Sequence, residues 1–578
     1  MEKQNNCYRM ILLSSLSKVF ADEEPLFFPE CCRLSGLYGE TVSFQAACSF
    51  TGNEKETLRA DISSALKKYI RIRQVISVPS AYPAHVKRDS NYLRHTPGLY
   101  PDLLRNLDQD EFVLLPGVWQ SLWVDLSLTH DIPGGVYPVT VSLINGAGLT
   151  AASVTAVIEV IPASLPDQEL IHTEWFHGDC LADYYHVPVF SEEHWHILEN
   201  FITLYGKKGM NMILTPIFTP PLDTAKGGER TTIQLVEITE ENKHYQFDFT
   251  RLKRWVAICK ASGIKYFEMA HLFTQWGAGF APKILVTENG ETVKRFGWHT
   301  KALGEYTCFL NQFLPALKEE LKILGILDDT WFHISDEPRS AHLESYAAAR
   351  ESVMSHLKDC KLIDALSEYS FYEAGLAERP VCATDHIEPF LQHGVPHLWS
   401  YYCTAQCVGV ANRFMAMPSA RNRIYGIQVY KFGIEGILHW GFNFYNSEYS
   451  MEHINPYLVT DSGGSFPSGD AFLVYPGADK NPEESIRLMV LHEAIQDHRA
   501  LKLLERHIGR EAVITLLEED LSEPITFETY PISAAYLTLT RNKINRTLSS
   551  IFKGKDAVAP CSILYQNQFL KLIITFSI

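Results

Sequence analysis

No block of lysine and arginine runs along this chain. Its 51 basic residues are scattered, and 68 acidic residues outnumber them for a net charge of −17. That balance argues against a nucleic-acid partner. Nor does any run approach the ~20 apolar residues of a membrane helix, so membrane insertion is not expected. Arg9-Met10-Ile11-Leu12-Leu13 is too short for a secretory core, and no small-residue cleavage site follows. These absences lead us to expect a soluble, cytoplasmic protein.

The chemical motifs that are missing are equally informative. Twelve cysteines occur, Cys31-Cys32, Cys403 and Cys407 among them, but neither a zinc spacing nor a disulfide framework emerges. Reduced thiols are the expectation. His492-Glu493 and His498 do not make His-Glu-x-x-His, and they fall within a helical pattern. No phosphate-cradling glycine loop and no Gly-x-Ser-x-Gly elbow is present. No cofactor and no metal is therefore expected. There is no internal repeat and no low-complexity tract.

What is present is ample core material, 46% hydrophobic and 12% aromatic over 578 residues, enough for roughly two to four domains. Residues 1–165 alternate polar and apolar in short runs such as Thr41-Val42-Ser43-Phe44-Gln45-Ala46 and Ser121–Leu128. With turns such as Pro133-Gly134-Gly135 between them, these predict an N-terminal β-sandwich. From Glu169 strands alternate with helices. Strands are predicted at 170–176, 210–216, 265–273, 331–335, 362–366, 380–384, 397–402 and 436–442. Eight such units predict a (β/α)8 TIM barrel over 166–480. Residues 481–552 read as a helical extension packing on the barrel, with a helix over 482–507. The tail 553–578 ends in an apolar run, 569–576, that reads as a strand or as poorly ordered.

The stretch Trp331-Phe332-His333-Ile334-Ser335-Asp336-Glu337-Pro338 concentrates the chemistry. A strand-forming run stops at two adjacent carboxylates, and Pro338 prevents its continuation. The C-terminal ends of barrel strands are where such folds place catalytic groups. Successive strand residues face opposite sides, so a shared site requires the strand to end or bulge between Asp336 and Glu337. Two carboxylates in one cleft separate in pKa, which suits one to act as acid while the other stays anionic.

The sequence resembles glycoside hydrolase family 123, whose known members are retaining β-N-acetylgalactosaminidases. The resemblance rests on Gly39–Gln45, Tyr100–Leu104 and Pro133–Tyr137 in the first region. In the barrel it rests on His271–Ala278, His333–Pro338, Leu398–Cys403 and Gly436–Gly441. It implies a substrate-assisted reaction in which the sugar's 2-acetamido oxygen attacks the anomeric carbon to give an oxazoline. Glu337 would then be the acid and later the base, and Asp336 would orient the acetamido group. Further candidates to contact a glycan substrate are Tyr401, Trp440, Asp385, His271, Trp175 and Trp276. One departure stands out: relatives carry an acidic residue soon after Asn412-Arg413, where this chain reads Phe414-Met415-Ala416-Met417-Pro418. Two alternatives remain: a glycosidase with a conventional nucleophile such as Asp385 or Glu435, and a non-catalytic carbohydrate-binding protein.

Overall fold

The computed structural model describes residues 7–27 and 32–553. The expected strand at 569–576 lies outside them. The N-terminal region is built of two facing sheets. One runs in the order 7–14, 41–51, 120–127, 70–80, 98–106, 482–485, 474–476; the other runs 33–38, 150–164, 135–144, 56–63, 111–114. Phe44, Ala46, Leu122 and Val124 of the first meet Leu58, Val139, Val141 and Ile158 of the second in one buried layer. The alternation legible in the sequence is thus the alternation of inner and outer faces.

The first sheet is completed from the far end of the chain. Pro482–Ser485, expected as the start of a helix, is a strand pairing antiparallel with Leu103 and Leu104. The helix runs from Ile486 to Ile508. Ser485 marks the change: its hydroxyl accepts from the Leu488 amide at 3.1 Å as an N-cap, so the helix starts four residues later than expected.

The second architecture is a parallel sheet that curls into a ring. Its nine segments are 171–174, 212–215, 266–269, 330–332, 361–362, 364–365, 380–383, 399–401 and 436–439, and Gly436–His439 pairs back onto Ile171–Glu174. Lys361–Leu362 pairs with Trp331 and Phe332, whereas Asp364–Ala365 pairs with Pro380 and Val381. Only Ile363 separates these two segments. Most strands are shorter than their sequence patterns suggested. Pairing ends early where each strand gives way to a loop above the ring, which is also where the polar chemistry begins. The ring is filled by Met212, Leu214, Trp331, Ile363, Val381, Ala383, Trp399 and Leu438.

Helices pack outside. Glu192–Lys207 begins after Ser191, whose hydroxyl accepts from the His194 amide at 3.2 Å. Strands 237–241, 244–248, 284–288 and 291–296, none of them expected from the sequence, form a separate four-stranded sheet. Its hairpins turn at Asn242-Lys243 and Asn289-Gly290, both with positive φ at their asparagines.

Candidate active site

Strand Thr330–Phe332 ends well before the paired carboxylates. Its continuation is pinned to neighbouring strands: the Ile334 amide donates to Asp364 Oδ1 at 3.0 Å and the Ser335 hydroxyl to the Thr274 carbonyl at 2.8 Å. Glu337 then takes φ +43°, with its amide donating to the Ala365 carbonyl at 3.1 Å. A non-glycine residue at positive φ is uncommon and strained, and the residue before a proline is already biased away from the right-handed helical region. The strained turn breaks the inside–outside alternation. Asp336 and Glu337 therefore both line one cleft of about 200 Å3.

The two carboxylates are held differently. Gln275 Nε2 donates to Asp336 Oδ2 at 2.6 Å, while Asp336 Oδ1 is buried without a partner. Burial pushes the Asp336 carboxyl up to about 8, and the neighbouring Glu337 charge adds to the rise. Glu337 Oε1 accepts from the Tyr401 hydroxyl at 2.9 Å, and that hydroxyl lies 3.2 Å from Ser367 Oγ. The Tyr401 hydroxyl is thereby committed to Glu337.

Trp175, Trp276, Tyr401 and Trp440 all line the same cleft. The Trp440 indole donates to Asp470 Oδ2 at 3.0 Å and meets Phe444 and Phe466 edge-on. Trp276, at φ +55° and 39% exposed, stands at the rim against Tyr449. Trp175 donates its indole N–H to Glu268 Oε1 at 2.7 Å.

Two expected residues sit elsewhere. His271 is buried below the cleft, stacked on His333 at 4.1 Å, because its strand has already ended at Met269 and the chain turns inward. Asp385 is held off the cleft by His386 Nδ1 and Gln406 Nε2, both at 2.8 Å from its Oδ1. Glu435, an alternative nucleophile, precedes strand Gly436–His439 and pairs with Arg379 and His397, at the opposite end of the ring.

Sequence reasoning missed two acids. Asp223, in the loop after the second ring strand, lines the cleft and accepts from the Tyr449 amide at 2.9 Å. Burial pushes it up to about 7. A consecutive Pro-Pro-Leu-Asp in a long strand-to-helix loop was the available signal. The other is Glu268, wholly buried beneath the cleft. It accepts from Trp175, from Thr173 Oγ1 at 2.6 Å and from His333 Nε2 at 2.6 Å. His333 Nδ1 lies 3.1 Å from Asp364 Oδ1. Burial pulls the His333 imidazole down, but hydrogen bonds to Asp364 and Glu268 outweigh it and hold it at about 9. A doubly donating imidazolium therefore ties the floor together.

His271, His333 and Asp364 are the one group among the described residues whose ligand atoms lie close enough for a metal, within 4.8 Å of one another. The geometry does not suit an ion. The two imidazole planes lie 24° apart and stacked, so their in-plane lone pairs run side by side rather than converging. Both His333 nitrogens also face carboxylates already.

A strained turn presenting two carboxylates among tryptophans at the end of a parallel ring is an arrangement suited to sugars. The family model for the catalytic domain of glycoside hydrolase 123 matches residues 175–504. The chain belongs to glycoside hydrolase family 123. It is a glycoside hydrolase, and its matched region contains both carboxylates and the whole ring beyond the first strand. A family 123 glycoside hydrolase from Clostridium perfringens, studied for glycolipid glycan hydrolysis, superposes with a TM-score of 0.71 at 15% identity. That match covers 95% of this chain and 99% of the clostridial one, and establishes the shared fold. A β-glucuronidase from Bifidobacterium dentium matches at TM-score 0.29 and 8% identity, over 86% of this chain and 66% of that one. The endo-β-1,4-mannanase from Thermotoga petrophila matches at TM-score 0.30 and 12% identity, over 60% and 79%. No curated protein shows significant similarity to this family 123 chain.

Proposed function

We propose that the cleft removes terminal β-linked N-acetylgalactosamine with retention, the substrate's own acetamido oxygen serving as nucleophile. The observation that carries this reading is the placement of Asp336 and Glu337 on one turn, opening into one cleft lined largely by apolar and aromatic groups. A conventional retaining pair places acid and nucleophile about 5 Å apart on opposite sides of the scissile bond. Two groups from one turn approach from the same side, which suits an acid beside an orienting group.

In this scheme Glu337 gives its proton to the glycosidic oxygen as that C–O bond breaks and the acetamido oxygen bonds to the anomeric carbon. Water then attacks the same carbon, the oxazoline opens, and Glu337 recovers a proton from the water. As its anion, Asp336 accepts the acetamido N–H at Oδ1, which has no partner within the protein, with Gln275 fixing the other oxygen. The adjacent acids share one proton at neutral pH: burial and the Glu337 charge favour it on Asp336 before substrate binds, and the acetamido N–H, by favouring the Asp336 anion, shifts it to Glu337, which gives it to the glycosidic oxygen. Trp440 offers a flat face to the sugar ring. In the same reading 361–365 counts as one broken strand, giving eight in a barrel over 166–480, flanked by a sandwich over 1–165 and helices over 481–552.

Asp223 supports a second reading, as a conventional nucleophile across the cleft. Its raised pKa weakens that role, since a nucleophile must be anionic. The deciding experiment is inhibition by a thiazoline mimic of the oxazoline during hydrolysis of an activated β-N-acetylgalactosaminide. Strong competitive inhibition is expected; no inhibition rejects the substrate-assisted course. Glu337→Gln should lose about 100- to 10,000-fold on poor leaving groups and much less on good ones, whereas Asp336→Asn should lose activity on both.

A further inference from the structure

The loops that build the catalytic cleft also wall a second cavity, of about 340 Å3. Neighbouring residues divide between the two. Pro221 lines the second cavity and Leu222 the cleft; Thr274 lines the second cavity and Gln275 the cleft. The two spaces thus share a wall at Pro221-Leu222 and at Thr274-Gln275.

Three features give this cavity recognition chemistry. Thr274 lines the cavity and is only 2% exposed, and its Oγ1 has no partner within the protein. A buried hydroxyl left so is unfavourable until something fills its hydrogen-bonding capacity. Lys283 and Lys294 both pair with Glu229, Lys283 with one carboxylate oxygen at 3.0 Å and Lys294 with the other. Arg230 beside them is already matched by Asp179, which it grips with two hydrogen bonds of 2.9 Å. Two lysines therefore share one carboxylate, leaving a positive charge uncompensated in a chain whose net charge is −17. Finally Trp298, half-buried and packed at 5.7 Å on Phe280, lines the same space and offers an aromatic face.

We infer that this cavity is a second saccharide subsite, selective for an acidic sugar of the glycan whose terminal 2-acetamido sugar enters the cleft. The anionic group, carboxylate or sulfate, bridges Lys283 and Lys294; the Thr274 hydroxyl takes a ring hydroxyl; Trp298 covers the apolar face. The identity of the sugar in the cleft rests on the proposed function, but the preference of the second cavity does not.

The test uses the full chain carrying Glu337→Gln, so that ligands survive. Titration calorimetry compares N-acetylgalactosaminyl-β-glucuronide, an N-acetylgalactosaminyl-β-galactoside sulfated on the galactose, and the same galactoside without sulfate. At low salt the acidic ligands should bind about tenfold more tightly than the neutral one, and the gap should narrow as salt rises. Their relative affinities tell carboxylate from sulfate. Lys294→Met should remove most of the preference, and Trp298→Ala should weaken all three. Equal binding of acidic and neutral ligands, or a preference that survives Lys294→Met, overturns the proposal. Free glucuronate, followed by ligand-observed NMR, separates this inference from the reading of the cleft. Its binding, or that of free galactose sulfate, lost in Lys294→Met, upholds the subsite even when no N-acetylgalactosaminide binds; failure of both to bind rejects the subsite.

Discussion

Buried charge is handled in opposite ways in two parts of this protein. Where the N-terminal sheets meet the ring and the C-terminal helices, carboxylates are matched by guanidinium groups. Arg423 grips Asp497 at 2.7 and 3.0 Å and Glu493 at 2.7 Å, Arg541 joins Asp497 to Glu40, and Arg487 holds Asp102 with two bonds of 2.8 Å. In the cleft Asp336 has an amide on one oxygen, nothing on the other and a carboxylate beside it. The titration of the two acids differs accordingly. Burial raises both, but Arg423 and Arg541 outweigh it at Asp497 and hold that group low, whereas Asp336 is pushed up to about 8. Every one of these seam acids has a guanidinium partner, although burial still raises Glu493, to about 7, and Glu40. The cleft is left under-satisfied, in the form that a polar substrate can complete.

The largest test of this contrast lies at the seam. Arg423→Met would leave Glu493 with only the Ser15 hydroxyl and Asp497 with only Arg541. Removing one partner of a buried ionic network costs about 3–5 kcal/mol, because charge remains without compensation. Urea unfolding should show that loss, while kcat of the protein still folded stays near the parent value. A change below about 1 kcal/mol would mean that the seam is no better satisfied than the cleft.

The next test reverses the sign. Between the ordinary carboxylate range and about pH 8, folded Asp336 holds a proton that the unfolded chain has released, so this group makes stability fall as pH rises across that window. Asp336→Asn removes the titration but keeps an oxygen for Gln275. The variant should therefore be more stable than the parent at pH 9, by a few kcal/mol at most, and melt at a higher temperature, with the difference shrinking toward pH 5. Asp497 behaves oppositely: its stabilisation is present above the ordinary carboxylate range and is lost as pH falls toward its lowered folded value. A melting difference between Asp336→Asn and parent that does not depend on pH would remove the electrostatic distinction between the two regions.

How legible these regions were follows from how local their causes are. The acid pair was legible because a proline, an aromatic strand and two carboxylates lie within eight residues. Trp175, Trp276, Tyr401 and Trp440 were legible because each follows or ends a strand whose alternation can be read, and strand ends converge above a parallel ring. Depth was not legible. His271 also lies at a strand end, yet it drops below the cleft to stack on His333, a residue 62 positions on. Glu268 reads as a lone acid in an apolar strand, and its partners Thr173, Trp175 and His333 come from two other strands. The strand Pro482–Ser485 escaped for the same reason: its pairing partner is some 380 residues earlier. Seam charges resemble ordinary surface charges in the sequence, and only packing distinguishes them.

The smallest effect decides how the cleft works. Asp223 combines features of both regions: like Asp336 it is raised by burial, to about 7, yet a backbone amide from Tyr449 holds one oxygen. If it binds a sugar hydroxyl, Asp223→Asn should lower kcat/KM about 2- to 10-fold, chiefly through KM, the worth of a neutral hydrogen bond. If it were the nucleophile, the same change would abolish the covalent step and lower kcat far more, on substrates with and without an acetamido group alike. The split between KM and kcat therefore separates the two roles. The smaller loss is expected, because a carboxyl that holds its proton near neutral pH is a poor nucleophile and an able hydrogen-bond partner. Adding back azide sharpens the result: it should not rescue Asp223→Asn, since azide replaces a missing nucleophile and cannot replace a missing contact to the sugar.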